Sequence, residues 1–119
     1  MKTILVKAGP VQTEQTAEVV NVPGWRALYG HFKGFIEIVN PRRLPQPYCI
    51  VVDESGLLHG LPANAFASWL YQTDIHGSPI VGDAFLMKQQ MGPDGYELAG
   101  LSDGEINAIS VKYGLRVKN

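Results

Sequence analysis

The residues best suited to chemistry are two adjacent arginines in a loop that is rich in proline. Arg42 and Arg43 lie within residues 40–47, which contain three prolines and lead directly into Tyr48. Prolines restrict the backbone, so a loop of this kind presents its side chains at a reduced entropic cost on binding. Guanidinium groups bind phosphate oxygens through two parallel hydrogen bonds. The loop therefore indicates a site for a small anionic ligand, and the alternative is ordinary solvated surface charge.

Aromatic and polar residues further along the chain complete this candidate site. Trp69 and Tyr71 lie on a predicted short helix after Asn64, and aromatic rings near a loop can stack on nucleobases. Asn64 or Asp83 would read the polar edge of such a base. The alternatives are that Asn64 is simply a helix cap and that both rings pack against a sheet. The candidate ligand-binding residues are Arg42, Arg43, Tyr48, Asn64, Trp69, Tyr71 and Asp83.

Two carboxylates are candidates for acid–base chemistry. Glu37 and Asp83 each alternate with apolar residues along a predicted strand. A carboxylate on a buried strand face must find a hydrogen-bond donor or take a raised pKa. The alternative is a charge on an edge strand, or a bulge at Asp83, because Gly82 precedes it. Of the two, Asp83 is the better candidate for contact with a ligand.

The usual signatures of catalysis and metal binding are missing from the sequence. His31, His59 and His76 are far apart, and the one close pair, Asp74 with His76, lies in a polar segment typical of a solvated loop. Cys49 lies in an apolar stretch, where burial would raise its pKa and make it a poor nucleophile. Neither a G-x-S-x-G elbow nor a glycine-rich phosphate loop occurs. We therefore predict no catalytic residue, no metal and no cofactor.

Length, composition and charge are those of a single folded domain. The chain has 119 residues, of which 45% are hydrophobic and 18% charged, with a formal net charge of −1. This size suits one domain, and the lack of surplus Lys and Arg argues against duplex nucleic acid as a partner. The single cysteine, the N-terminus without a signal peptide pattern and the lack of a long apolar stretch predict a cytoplasmic protein that does not enter a membrane.

The pattern of apolar residues predicts an α+β fold, with a mainly antiparallel sheet of about six to seven strands and three short helices. The predicted strands are residues 3–7, 17–22, 35–39, 48–52, 57–60, 80–88 and 96–100. Residues 48–52 are apolar throughout, which is typical of a central strand that is covered on both faces. Residues 57–60 are predicted to pair back on that strand as the second arm of a hairpin.

Local signals place the three helices. A stripe of apolar residues at i, i+3, i+4 and i+7, starting from Trp25, predicts the first helix. Asn64 is a suitable N-cap for a second helix over residues 65–71. The sequence S-x-x-E beginning at Ser102 is a capping box that opens a third helix, and Gly114 is placed to end it.

Three segments of the chain together resemble a known family. They are GFIEIV at 34–39, VVDESGLLHGLPAN at 51–64 and IVGDAF at 80–85. In this order they resemble a small family catalogued as domain of unknown function 3846, which occurs in bacteriophages, plasmids and their bacterial hosts. The resemblance covers roughly residues 1–88 of the single domain, and the hairpin and helix of residues 89–119 look like an extension. It implies an accessory protein of a mobile element in the host cytoplasm and brings no assigned activity.

Two functions from different classes follow from these features. The first is a non-catalytic protein that sequesters a small anionic host signal of the cyclic-nucleotide type, in a pocket between the subunits of a homo-oligomer. Its use against host defences is an analogy with other proteins of mobile elements. The alternative is an inhibitor that docks onto a host enzyme through aromatic and apolar residues that include Phe66, Trp69, Tyr71 and Ile75. A third hypothesis is a small hydrolase that uses Asp83 and His59.

Overall fold

A mostly antiparallel sheet of seven strands and three helices make up the described part of the chain. The structure is a computed structural model, and it describes residues 1–9, 15–32, 34–72 and 79–118. The strands are β1 (Lys2–Val6), β2 (Gln15–Asn21), β3 (Ile36–Val39), β4 (Tyr48–Asp53), β5 (Ala84–Gly92), β6 (Gly95–Ala99) and β7 (Leu115–Lys118). The helices are α1 (Ala27–Phe32), α2 (Ala65–Tyr71) and α3 (Asp103–Tyr113). The predicted α+β class is confirmed.

Strand β5 organises the sheet. The strand order is β3-β4-β5-β1-β2-β7, and β6 pairs with the far half of β5. Residues 84–86 of β5 pair with β1 and residues 88–92 pair with β6, while residues 85–88 pair with β4 along the other side. These pairs are antiparallel, and β2 with β7 is parallel. The start of β5 therefore lies beside the ends of both β1 and β4.

The sheet is covered on both faces, as the unbroken apolar run of β4 predicts. Ile50 and Val52 pack with residues of α2 and α3 on one face, while Cys49 and Val51 pack with Leu28 of α1 on the other. This division follows from the alternation of side chains along a strand. Burial raises the pKa of the Cys49 thiol to about 12, so this cysteine is a poor nucleophile, as predicted.

The helix ends agree with the local sequence signals. Asn64 caps α2, and its Oδ1 accepts a hydrogen bond from the N–H of Ala67 at 3.1 Å. Ser102 and Glu105 form the reciprocal capping box of α3, and Gly114 ends this helix in a left-handed conformation with φ of 65°. These side chains satisfy N–H groups that have no partner within the first turn of a helix. Capping chemistry therefore determines where α2 begins and where α3 begins and ends.

Residues 57–60 are not a strand, so the prediction of a hairpin here is wrong. Residues 54–60 form consecutive turns. The N–H of Ser55 donates to Oδ1 of Asp53 at 2.8 Å, and the N–H of His59 donates to the carbonyl oxygen of Ser55 at 2.9 Å. Such local hydrogen bonds compete with the ladder of a sheet. They bend the chain back towards the end of β4.

Two further strand predictions need correction. Strand β7 is missing from the predicted set; it follows the cap of α3 and pairs with β2, with Gln15 opposite Leu115. Its four residues are too few to give a clear period, and its partner is remote in sequence. The strand predicted over 80–88 begins later, at Ala84, because Gly82 has φ of 80° and interrupts the extended chain, and the N–H of Ile80 donates to Oγ of Ser68 in α2 at 2.9 Å.

Candidate functional site

A cavity of about 410 Å³ opens where the ends of β1 and β4 lie beside the start of β5. We call it the two-histidine cleft. Its described lining residues are Ala8, His31, Phe32, Asp53, His59, Leu61, Pro62, Gly82 and Asp83. Antiparallel pairing brings Asp53, the last residue of β4, and Asp83, which precedes β5, to the same end of these two neighbouring strands. The end of α1 and the turns over residues 54–60 supply the two histidines.

The first pair in the cleft is His59 with Asp53. Nδ1 of His59 lies 2.9 Å from Oδ2 of Asp53. The other oxygen of this carboxylate accepts the N–H of Ser55, and the Asp53 side chain is 3% exposed. The side chain of His59 is 46% exposed. A buried, firmly held carboxylate therefore orients a ring that is open to solvent.

The second pair is His31 with Asp83. Nε2 of His31 lies 3.1 Å from Oδ2 of Asp83, and Oδ1 of this carboxylate accepts the N–H of Ala8 at 3.0 Å. The imidazole packs edge-on against the rings of Phe32 and Phe85, with centroids 5.0 Å apart in both contacts. The neighbouring strand end, the aspartate and two aromatic rings thus fix the position of this histidine.

Both pairs have the same construction. A backbone N–H holds one oxygen of the aspartate, and the other oxygen holds one nitrogen of the imidazole. An ionised carboxylate only accepts hydrogen bonds, so the nitrogen that faces it carries the hydrogen. Nε2 of His59 and Nδ1 of His31 have no hydrogen-bond partner within the described ranges. Each ring therefore keeps one nitrogen available for a ligand or for proton transfer.

The rest of the lining is apolar and closely fitted. Phe32, Leu61 and Pro62 form a wall beside the two pairs. Gly82 has φ of 80°, and a Cβ atom there would lie 2.7 Å from Cδ1 of Leu61. Any larger residue at this position would therefore strain the backbone and disturb the wall. No group of three His, Cys, Asp or Glu side chains within the described residues is placed to hold a metal ion.

Asn64 supports the cleft from behind. Its side chain is buried, and its Nδ2 donates to the carbonyl oxygens of Val6 at 3.1 Å and Gly82 at 3.0 Å. Its Oδ1 serves as the cap of α2. All three of these bonds join the end of β1, the approach to β5 and the start of α2. The residue thus fulfils the predicted capping role and does not line the cleft.

Five of the predicted ligand-binding residues lie elsewhere. The guanidinium of Arg43 donates to the carbonyl oxygen of Trp69 and lies 4.8 Å from the centroid of its ring. Trp69 also contacts Phe66 and Tyr113, and the hydroxyl of Tyr113 donates to the carbonyl oxygen of Arg43. We call these four residues the arginine–tryptophan cluster. Its members satisfy one another, and Arg42 beside them is exposed.

The two tyrosines of the predicted set have separate surroundings. The hydroxyl of Tyr48 donates to Oε2 of Glu105 at 3.2 Å, and burial and this carboxylate raise the pKa of Tyr48. Tyr71 lines a smaller cavity of about 200 Å³ together with Glu37 and Glu54. Glu37 is exposed on β3, which pairs with β4 along one side. This agrees with the reading of Glu37 as a charge on an edge strand.

Of the predicted ligand-binding residues, Asp83 alone lines the cleft. Asp53, His31 and His59 are absent from the predicted set. His59 was predicted to be a reactive residue only in the hydrolase hypothesis. The available signal was an aspartate next to each of two apolar strands, at ends that an antiparallel pairing would bring together. The wrongly predicted strand at 57–60 obscured the turn that carries His59. Asp74 and His76, the close pair that was considered for metal binding, lie outside the described residues.

Comparison with known proteins identifies a family. None of the described helices has the length and apolar composition needed to cross a membrane. No curated protein and no solved structure matches the chain. The family model described as Domain of unknown function (DUF3846) matches residues 1–114, a range that includes the last hairpin and α3. The chain thus belongs to the DUF3846 family.

Proposed function

We propose that this protein binds a small ligand in the two-histidine cleft, and that the ligand is an anion of the nucleotide type. The observation that carries the proposal is the convergence of two His–Asp pairs on one cavity of about 410 Å³. Ligand pockets of proteins usually enclose about 300–1,000 Å³. The size of the cleft therefore suits a single ring system with its attached polar groups.

The lining of the cleft supports a ligand with an apolar ring and a charged group. Phe32, Leu61 and Pro62 supply a wall against which a ring can pack. Histidine gains its positive charge as the pH falls from about 8 to about 5, and the charged ring donates from both nitrogens. A phosphate oxygen at the unused nitrogen of His31 or His59 would then accept a charge-assisted hydrogen bond.

The two carboxylates make this binding dependent on pH. No lysine or arginine is among the described residues that line the cleft. A neutral imidazole leaves its pair with a net negative charge, whereas a protonated imidazole brings the pair to zero. Binding of an anion is therefore favoured when at least one of the two histidines is protonated, and we expect affinity to increase as the pH falls.

The arginine loop supports an anion site less well than the cleft does. Arg43 is already engaged by Trp69, and neither Arg42 nor Arg43 lines the cleft. The further elements of the proposal rest on the family resemblance and on analogy. These are a cyclic-nucleotide-type host signal as the ligand, its sequestration for a mobile element, and a homo-oligomer in the cytoplasm.

Docking onto a host enzyme is the alternative proposal, and it has weaker support. Phe66 is half-buried against the core, and Trp69, which is 48% exposed, carries the guanidinium of Arg43 against its ring. Ile75 lies outside the described residues. The residues proposed for docking therefore include two that are engaged within the chain itself.

Titration with a panel of nucleotides tests the proposal. Dissociation constants are measured by calorimetry for cyclic mononucleotides, cyclic dinucleotides and uncharged adenosine, at about pH 6 and about pH 8. We expect at least one phosphate-bearing ligand to bind, with the lower Kd at the lower pH. Adenosine serves as the control and should show no such dependence. Failure of the whole panel to bind, or tighter binding of the anions at the higher pH, would contradict the proposal.

Two amide substitutions locate the site. His59→Asn keeps an N–H near the position of Nδ1, and His31→Gln keeps one near Nε2, so each retains a donor for its aspartate and loses the titrating nitrogen. We expect each change to raise Kd about tenfold or more, which is about 1.4 kcal/mol. Asp103→Asn removes an exposed carboxylate outside the cleft and is the control. Loss of binding in Arg42→Ala, with binding retained in both histidine variants, would place the site at the arginine loop.

A further inference from the structure

We infer that the two-histidine cleft also cleaves its ligand, by hydrolysis of a phosphodiester bond with His59 as general base and His31 as general acid. The inference rests on the proposed function, because it requires a phosphate-bearing ligand in the cleft, and under it cleavage takes the place of sequestration. It is carried by the shared construction of the two pairs, in which the backbone holds the aspartate and the aspartate holds one nitrogen of the ring. One group that accepts a proton and one that donates a proton are the basic requirements of acid–base catalysis.

His59 is placed to accept a proton through Nε2. Its Nδ1 faces the buried carboxylate of Asp53 at 2.9 Å, which keeps the neutral ring in the tautomer with hydrogen on Nδ1. The lone pair of Nε2 is then available to a water molecule in the cleft. His59 is also the more exposed of the two rings, so it is the one that water reaches more readily.

His31 is placed to donate a proton through Nδ1. Its Nε2 faces Asp83 at 3.1 Å, so the carboxylate occupies that nitrogen of the ring. When the ring is protonated, Nδ1 carries the proton that the carboxylate does not use. The edge-on contacts with Phe32 and Phe85 hold the ring beside the apolar wall, where the ring of a ligand would pack. We therefore assign His31 as the donor to the leaving oxygen of a ligand whose ring packs against that wall.

Water is the attacking group, because no serine, threonine or cysteine is among the described residues of the lining. Nε2 of His59 takes one proton from the water as the water oxygen forms the new P–O bond. The P–O bond to the leaving group breaks, and Nδ1 of His31 gives its proton to the leaving oxygen. The products are a phosphomonoester and an alcohol, and exchange with bulk water restores both histidines.

Product analysis after heat denaturation tests the inference. Each ligand that binds in calorimetry is incubated at saturating concentration with the protein, which is then denatured, and the released nucleotide is identified by mass. We expect a product heavier than the ligand by one water molecule, and a rate that is bell-shaped in pH. His59→Asn and His31→Gln should each lower the rate about 100-fold or more, while Asp103→Asn should keep the rate of the unmodified protein.

The outcomes separate this inference from the proposed function. Recovery of intact ligand from a protein that binds it would overturn the inference and leave the binding proposal standing. Turnover that persists in both histidine variants would also overturn it, because the activity would then arise elsewhere. If no ligand binds, calorimetry shows this first and both proposals fall. His59→Gln replaces His59→Asn if the unfolding temperature shows that the latter does not fold.

Discussion

The arginine–tryptophan cluster and the two-histidine cleft both combine nitrogen-bearing side chains with aromatic rings. They differ in how much of the hydrogen-bonding capacity of these side chains is used within the chain. In the cluster, the guanidinium of Arg43 binds Trp69, and the hydroxyl of Tyr113 binds the backbone of Arg43. In the cleft, His31 and His59 each use one nitrogen on an aspartate and keep the other nitrogen without a described partner. Polar groups that bond one another stabilise a fold, whereas polar groups that remain available at a cavity can meet a ligand.

This difference explains why residue type alone gave an unreliable indication of the site. An arginine pair in a proline-rich loop is a plausible phosphate site until the partners of each guanidinium are known. A histidine next to an aspartate looks like a structural ion pair until the second nitrogen is considered. The informative quantity is the hydrogen-bonding capacity that remains after folding, and three substitutions test it.

The largest effect is expected from Asn64→Ala. The change removes the cap bond to Ala67 and leaves the carbonyl oxygens of Val6 and Gly82 without their buried donor. Because a lost cap costs about 1 kcal/mol and unsatisfied buried groups cost about 1–3 kcal/mol, we expect the free energy of unfolding to fall by about 3 kcal/mol. Urea denaturation measures it, with the exposed Asn107→Ala as control. A loss below about 0.5 kcal/mol would show that Asn64 does not support the cleft.

A smaller effect, which depends on pH, is expected from Glu105→Gln. The N–H of Ser102 and then Lys88 hold the pKa of Glu105 at about 2, below its usual 4.5, despite partial burial. A lowered pKa in the folded state contributes stability above about pH 4.5 that is lost as the pH falls towards 2. We expect Glu105→Gln to cost about 2 kcal/mol near neutral pH and much less near pH 2. Urea denaturation across this range measures the difference.

The control for this pH series is Asp103→Asn, which removes an exposed carboxylate on the same helix. It should change the free energy of unfolding by less than about 1 kcal/mol at every pH. An equal loss for Glu105→Gln at both ends of the range would contradict the assignment. The carboxylate of Glu105 would then not be engaged by internal partners in the way that the side chains of the arginine–tryptophan cluster are.

The smallest effect is expected from Arg43→Ala. Loss of the hydrogen bond to Trp69 and of the cation–π contact should lower the free energy of unfolding by about 1–2 kcal/mol. Ligand affinity at the cleft should not change. Arg42→Ala, a change at the exposed neighbour, is the matched control and should have almost no effect on stability. Loss of ligand binding in Arg43→Ala would end the distinction between the two regions.

The features that depend on neighbours in sequence were predictable. Asn64 and Ser102 cap their helices as expected, and the apolar run of β4 is covered on both faces. These signals succeed because capping and alternation involve residues within a few positions of one another. The α+β class followed from the same local patterns, and a mainly antiparallel sheet followed from the lack of a regular alternation of strands and helices.

The features that depend on distant partners were not predictable. His31 and Asp83 meet across 52 positions of the chain, and no local pattern indicates that pairing. Strand β7 forms because it pairs with β2, and β2 lies near the other end of the sequence. The prediction of a hairpin strand over residues 57–60 failed for a different reason. The side chain of Asp53 favours local hydrogen bonds over the ladder of a hairpin.

The aspartates and the histidines of the two pairs belong to different kinds of elements, and this affects how the cleft can move. Both aspartates sit at strand ends beside β5, which is hydrogen bonded along both sides, whereas the histidines belong to a six-residue helix and a series of turns. Segments with few cooperative bonds open at a lower free energy than the centre of a sheet. The carboxylates and the His31 ring, which packs against Phe85 of β5, thus form a fixed base, and opening or closing around a ligand falls to His59 and the turns that bear it.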